Sequence, residues 1–190
     1  YQSKFSKQLH KRYFPNIPNN IIVNGYIKNF GSIARSRNIN NTINLVTIYN
    51  DWKPSKRISE LIYFIAWANQ KEDFTFKLHI IGYNGKIPRH APDGMQELIE
   101  TSNLFNLIPE FVRFDKNIEN ILWESDMYIT FTNRDPCPNV VIEAMSYGLP
   151  VVGFKSGGLQ DIVGNAGILL DENDTSDFFA SYRYDNDFPK

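Results

Sequence analysis

Between residues 43 and 170 the chain alternates short apolar runs with stretches whose apolar residues recur every three or four positions. No other property restricts the fold so tightly. Residues 43–49 form a largely apolar run suited to a strand buried in a parallel sheet. A polar loop follows over 50–55. Residues 56–70 then place Ile58, Leu61, Ile62, Ile65 and Ala66 at the core spacing of a helix. The same reading predicts strands over 76–81, 107–114, 126–131, 151–154 and 167–170, and helices over 93–102, 118–124, 138–147 and 159–163. Alternation of this kind predicts an α/β fold, a doubly wound parallel sheet of about six strands. Ligands of such sheets bind at the carboxyl ends of the strands. The loops after the first four strands, and the helix starts they feed, are therefore the places to look.

The opening residues, 1–42, hold too few apolar side chains for a core of their own. A short basic helix over 5–13 and a strand at Ile21-Ile22-Val23 make them a connector that packs on something else. Residues 43–180 form the domain, and 181–190 a tail in the acidic, aromatic surface stretch that starts at Asp171. The net charge of -1 gives no support for a nucleic-acid partner. The single cysteine, Cys137, forbids an internal disulfide and points to a reducing, cytoplasmic setting. No apolar run approaches the roughly 20 residues of a membrane helix. The chain opens on Tyr1 and is read as part of something longer.

Residues 135–150, Asp-Pro-Cys-Pro-Asn-Val-Val-Ile-Glu-Ala-Met-Ser-Tyr-Gly-Leu-Pro, carry the chemistry. Carboxylates in apolar surroundings need a partner, and hydroxyl-rich ligands are such partners. Asn139, Glu143 and Ser146 fall on one stripe of an otherwise apolar helix. Pro138 suits its first turn. The N–H groups of Asn139, Val140 and Val141 then make an anion seat backed by the helix dipole. Glu143 lies roughly 6 Å further along the axis, about the span from a diphosphate to the ribose of its nucleotide. Asp135 would sit on the other side of the phosphates, where a transferred sugar would lie. The competing reading pairs Glu143 with a lysine and uses Asp135 to cap the helix.

In these residues the chain resembles the carboxyl-terminal half of a family 4 glycosyltransferase of the GT-B type. Asp135 and Glu143 stand where that family has two acids, ahead of Gly148-Leu-Pro150-Val151-Val152. Gly157-Gly158-Leu-Gln-Asp161 and Ala166-Gly167-Ile168-Leu169 follow in the family's order. Ser3-Lys4-Phe5-Ser6 and Val23-Asn24-Gly25 resemble its interdomain connector. The likeness covers most of Val46 to Leu170. It implies a Rossmann-like half of a GT-B enzyme and retaining transfer from a nucleotide-diphosphate sugar. Glu143 would hold the ribose, and Asp135 the donor sugar's hydroxyls near the reacting carbon. Lys56 matches the lysine of a basic pair on the diphosphate. The usual arginine five places earlier is Asp51 here, so either Lys53 or Arg57 would substitute or the diphosphate would rely more on the helix start. No metal and no other cofactor is implied, because lysine and helix amides neutralise the leaving diphosphate. The acceptor, a glycan or lipid-linked sugar, would bind a second, amino-terminal domain.

Other signals are weaker. Gly82-Tyr83-Asn84-Gly85-Lys86 lacks P-loop spacing and reads as a turn. Phe114-Asp115-Lys116 falls where the resemblance puts the base pocket. Gly157 and Gly158 would let backbone approach the ligand or the partner domain. Cys137 has no histidine nearby to activate it, and His10, His79 and His90 show no metal spacing. Trp52 and Trp123 read as packing residues. Two rival classes stay open: a non-catalytic nucleotide-sugar-binding module, and another enzyme on this fold, such as a sugar-nucleotide epimerase or a phosphorylase.

Overall fold

Six parallel strands, β1 (Thr42–Ile48), β2 (Thr75–Ile81), β3 (Glu110–Val112), β4 (Met127–Thr130), β5 (Val151–Phe154) and β6 (Gly167–Leu170), make one sheet in the order β3-β2-β1-β4-β5-β6. The computed structural model describes residues 2–13, 15–16, 20–21, 25, 41–49, 53–71, 73–82, 110–112 and 118–171. β1 pairs with β2 along its whole length, from Thr42 against Thr75 to Ile48 against Ile81. On its other side β1 meets β4, Leu45 against Met127 and Val46 against Tyr128. The strand order therefore reverses between β1 and β4. That reversal opens a crevice outside their carboxyl ends, the usual ligand position of a doubly wound sheet.

Side chains alternate across the sheet and feed two cores. On one face Leu45, Leu78, Ile80, Ile129 and Phe154 pack with Ile58, Leu61, Ile62 and Ile65 of α2 (Ile58–Lys71). On the other, Val46, Ile48, Tyr128 and Val151 meet the remaining helices. These are α3 (Ile118–Glu124), α4 (Asn139–Ser146) and α5 (Leu159–Val163). A sheet buried on both faces explains why its strands read as apolar runs rather than strict alternations. Asn69, late in α2, clamps β2: its side chain accepts from the Phe76 N–H at 2.6 Å and donates to the Phe76 carbonyl at 3.0 Å.

Two sequence-predicted boundaries move at the site. The helix expected from Lys56 starts at Ile58. Pro54–Lys56 form a 3-10 turn, and Arg57 follows at φ 51°, in the left-handed region. Pro54 favours a first turn but the Arg57 N–H closes on its carbonyl at 3.1 Å, so the chain turns once before α2 begins. Likewise Pro138 is the N-cap of α4 rather than its first residue. At the other end Gly148, at φ 73°, lets its own N–H reach Met145 and that of Leu149 reach Ala144. That is a Schellman cap, the helix stop that a glycine here predicts.

The connector helix, α1 (Lys4–Lys11), packs back on the domain. Ser3 and Ser6 close a capping box, and the Lys4 N–H donates to Asp161 at 2.7 Å. The helix expected over 93–102, the strand residues Ile22 and Val23, and residues 107–109 and 113–114 of the third strand lie outside the described residues. So do Asp51, Trp52, residues 83–86, His90, Asp115, Lys116 and the 181–190 tail.

Candidate functional site at the strand-order reversal

The loops after β1 and β4 are tied together before any side chain is considered. The Asn133 N–H donates to the Ser55 carbonyl at 2.7 Å. That bond sets the two loops in register across the crevice. Lys56 and Asp135 then meet: Lys56 Nζ lies 3.3 Å from Asp135 Oδ2. The other carboxylate oxygen, Oδ1, accepts from the Cys137 N–H at 3.1 Å. Asp135 thus braces its own loop and holds a lysine. It does not cap α4, whose N-cap has no side-chain bond.

Beyond that loop α4 begins. The Val141 N–H is taken by the Pro138 carbonyl at 3.0 Å, so the expected anion seat narrows to the first turn, Asn139 and Val140. Glu143 stands one turn further on, partly buried. Its carboxylate makes no hydrogen bond or ion pair among the described residues. The lysine partner of the competing reading is therefore not among them. Arg57 is turned elsewhere. Its guanidinium lies 5.0 Å from the centre of the Phe154 ring and its Nε 3.7 Å from Glu60. Cation–π contact and an i,i+3 ion pair hold it against the domain.

Three features of the site were not visible in the sequence. Arg134 adopts φ 57°, a left-handed conformation that costs a side-chain-bearing residue about 1 kcal/mol or more. Its N–H is held by Ser156 Oγ at 2.9 Å, and that hydroxyl donates in turn to Asn133 Oδ1 at 2.7 Å. The loop after β5 is thus stitched to the loop after β4. Gly157 and Gly158 complete the seam. A Cβ on Gly157 would stand 2.3 Å from the Asp135 carbonyl oxygen, and one on Gly158 only 2.0 Å from that of Pro136. The glycine pair is there to let backbone meet the acidic loop. A Gly-Gly pair after a strand was the visible signal; its neighbour was not.

Beneath the crevice two phenols are sealed in. Burial pushes the Tyr49 phenol up to about 12, with the hydroxyls of Thr47 and Thr130 and the backbone of Phe131 near enough to temper the shift. Neither Tyr49 OH nor Thr47 Oγ1 finds a hydrogen-bond partner in good geometry among the described residues. Burial also raises the Tyr128 phenol, whose oxygen lies 3.4 Å from the Ile48 N–H. Among the described residues no three His, Cys, Asp or Glu side chains are grouped as a metal site would require.

A family model described as glycosyl transferases group 1 matches residues 43–183. The chain belongs to the group 1 glycosyltransferases. Over 76 residues, 39% of the chain, it is 32% identical to a Vi polysaccharide biosynthesis protein, VipC/TviE, of Salmonella typhi. Two solved glycosyltransferases share the fold. The lipopolysaccharide outer core galactosyltransferase WaaB, in its apo form, aligns over 94% of the chain at 17% identity and a TM-score of 0.64. The pneumococcal O-GlcNAc transferase GtfA, solved with UDP and GlcNAc, aligns over 94% at 18% identity and 0.58. The α/β sheet accordingly has the Rossmann-like fold of GT-B glycosyltransferase domains. The chain spans 49% of the WaaB chain, 35% of the GtfA chain and 13% of VipC/TviE. No helix among its described residues is long and apolar enough to cross a membrane.

Proposed function

We propose that this glycosyltransferase chain is the donor-binding half of a retaining enzyme, and that the crevice between the β1 and β4 loops holds a nucleotide-diphosphate sugar. The observation that carries the reading is the Lys56–Asp135 pair, which joins the loop after β1 to the loop that leads into α4 at the reversal of strand order. Lys56 and the first-turn amides of Asn139 and Val140 receive the diphosphate. Glu143, whose carboxylate is unspent, accepts both ribose hydroxyls. Asp135 meets the donor sugar's hydroxyls beside the reacting carbon. As the glycosidic bond to the diphosphate breaks, negative charge grows on the leaving oxygen. Lys56 and the α4 amides are aimed where it grows, so no metal ion is needed to neutralise it. The UDP and GlcNAc bound to GtfA support a donor of this class. An acceptor-binding half would complete the cleft, and the acceptor is a sugar.

The test is direct binding. UDP-, GDP- and ADP-sugars are added in turn to the chain and its melting temperature is followed. One nucleotide should raise it. Glu143→Ala should abolish the shift, whereas Asp135→Ala should spare plain nucleotide. If Glu143→Ala binds as the parent does, the ribose assignment is wrong. If no nucleotide moves the melting temperature, the donor reading is wrong.

A further inference from the structure

On the far side of the Asp135 loop, between α1 and the loops after β4 and β5, lies an open surface groove of about 500 Å³, along which Lys4, Gln8, Arg134, Lys155 and Gln160 are exposed. Neither Lys56 nor Asp135 nor Glu143 lines it, so the donor's proposed contacts leave it unused. Its walls come from three separate stretches of chain, represented by Gln8, Arg134 and Gln160. Those three side chains make no hydrogen bond or ion pair among the described residues. Asn133 gives its side-chain oxygen to Ser156, which leaves its amide nitrogen to donate into the groove. Lys4 and Lys155 add two more ammonium groups, one near Asp161 at 3.9 Å and the other on Asp171 at 2.6 Å. Phe5 supplies one aromatic ring.

Planar amides, an aromatic ring and a guanidinium with no carboxylate partner are groups that bind sugars carrying a negative charge. The backbone that carries this guanidinium is held at a conformational cost. Arg134 keeps its left-handed φ of 57° because Ser156 Oγ holds its amide, and that fixes where its side chain leaves the loop. Asp135, the residue proposed to face the donor sugar, is its immediate neighbour. We infer that this groove is the seat of an acidic sugar of the acceptor, one bearing a carboxylate or a phosphate, with Arg134 as the residue that selects the charge. The acceptor role rests on the donor reading above; the sugar site itself does not.

Amide NMR of the isotope-labelled chain tests both. Glucuronate, glucose 6-phosphate and glucose are titrated separately, and UDP, GDP and ADP are titrated as donor probes. Glucuronate or glucose 6-phosphate should move the amides of Arg134, Ser156, Gly157 and Gln160 saturably, at least about tenfold more tightly than glucose. Whichever acid binds tells carboxylate from phosphate. Arg134→Asn keeps a residue that tolerates the left-handed region, and should erase the preference while UDP binding stays unchanged. Lys4→Gln, which retains the backbone bond to Asp161, should reduce it in part. Equal affinity for glucose, a preference that survives Arg134→Asn, or UDP binding that falls with Arg134→Asn would each overturn the proposal. Failure of UDP, GDP and ADP alike to bind, with the glucuronate arm intact, would instead sink the donor reading and leave the sugar site standing.

Discussion

Lys56 Nζ sits 3.3 Å from Asp135 Oδ2, and 79 residues of chain separate the two. The pair is about a quarter exposed, at 23% and 25%, so solvent screens part of it. A diphosphate in the crevice would compete with Asp135 for the same ammonium. Lys56→Met should therefore weaken nucleotide-sugar binding by about tenfold to a hundredfold. Asp135→Asn should act the other way on plain UDP, releasing the lysine and tightening binding by about threefold. Calorimetric titration of both variants decides the matter. Tighter UDP binding by Lys56→Met would remove the lysine from the donor site.

The glycines near the site separate two kinds of cost. Gly148 has φ 73° but open space around it, so Gly148→Ala should lose about 1 kcal/mol from conformation alone. A Cβ on Gly158 would press within 2.0 Å of the Pro136 carbonyl oxygen, and its surroundings are backbone that cannot rotate away. Gly158→Ala should cost about 3 kcal/mol or more. Urea unfolding of the two variants should rank them in that order.

The docking of α1 rests on few groups. Asp161 accepts from the Lys4 N–H, and Ser3 is fully buried inside the capping box. Asp161→Ala should speed hydrogen exchange at the Lys4 amide and through α1 while leaving β1 and β4 protected. Ser3→Ala should cost about 1 kcal/mol of stability. Exchange rates in α1 that do not change in Asp161→Ala would show that the helix is held by other contacts.

Alkaline unfolding should report the buried phenols. The Tyr49 phenol is raised from 10.0 to about 12 in the folded protein, and burial raises Tyr128 in the same direction. A raised value means the folded state keeps its proton while the unfolded chain has lost it. The associated stability is whole below pH 10 and is lost as the pH climbs through about 12. Tyr49 alone accounts for roughly 3 kcal/mol of that loss. Tyr49→Phe should flatten the fall. At pH 7 the same substitution should change stability little, because the hydroxyl it removes has no good partner among the described residues. Denaturation at pH 8 and pH 11 tests both halves.

Local pattern was enough for most of the fold. Apolar runs placed β1, β2, β5 and β6, the 3.6-residue period placed α2, and Gly148 marked the end of α4, because each of these is decided by neighbours in the chain. Asp135 and Glu143 stand out in the sequence for the same reason. They are acids where an apolar context makes an acid costly. What the residues could not state was who meets whom. Pro54 and Lys56 carry no sign of a 3-10 turn ending in a left-handed arginine. Nor does the sequence show that Arg57 lies against the Phe154 ring. Arg134, Ser156 and Gln8 carry no signal of their own in the sequence, and only the packing of α1 on the loops after β4 and β5 brings them together. Periodicity acts over a few residues and decides elements. The Lys56–Asp135 pair, the backing of the acidic loop by Gly157 and Gly158, and the groove beside Arg134 depend on strand order, which only the packed sheet sets.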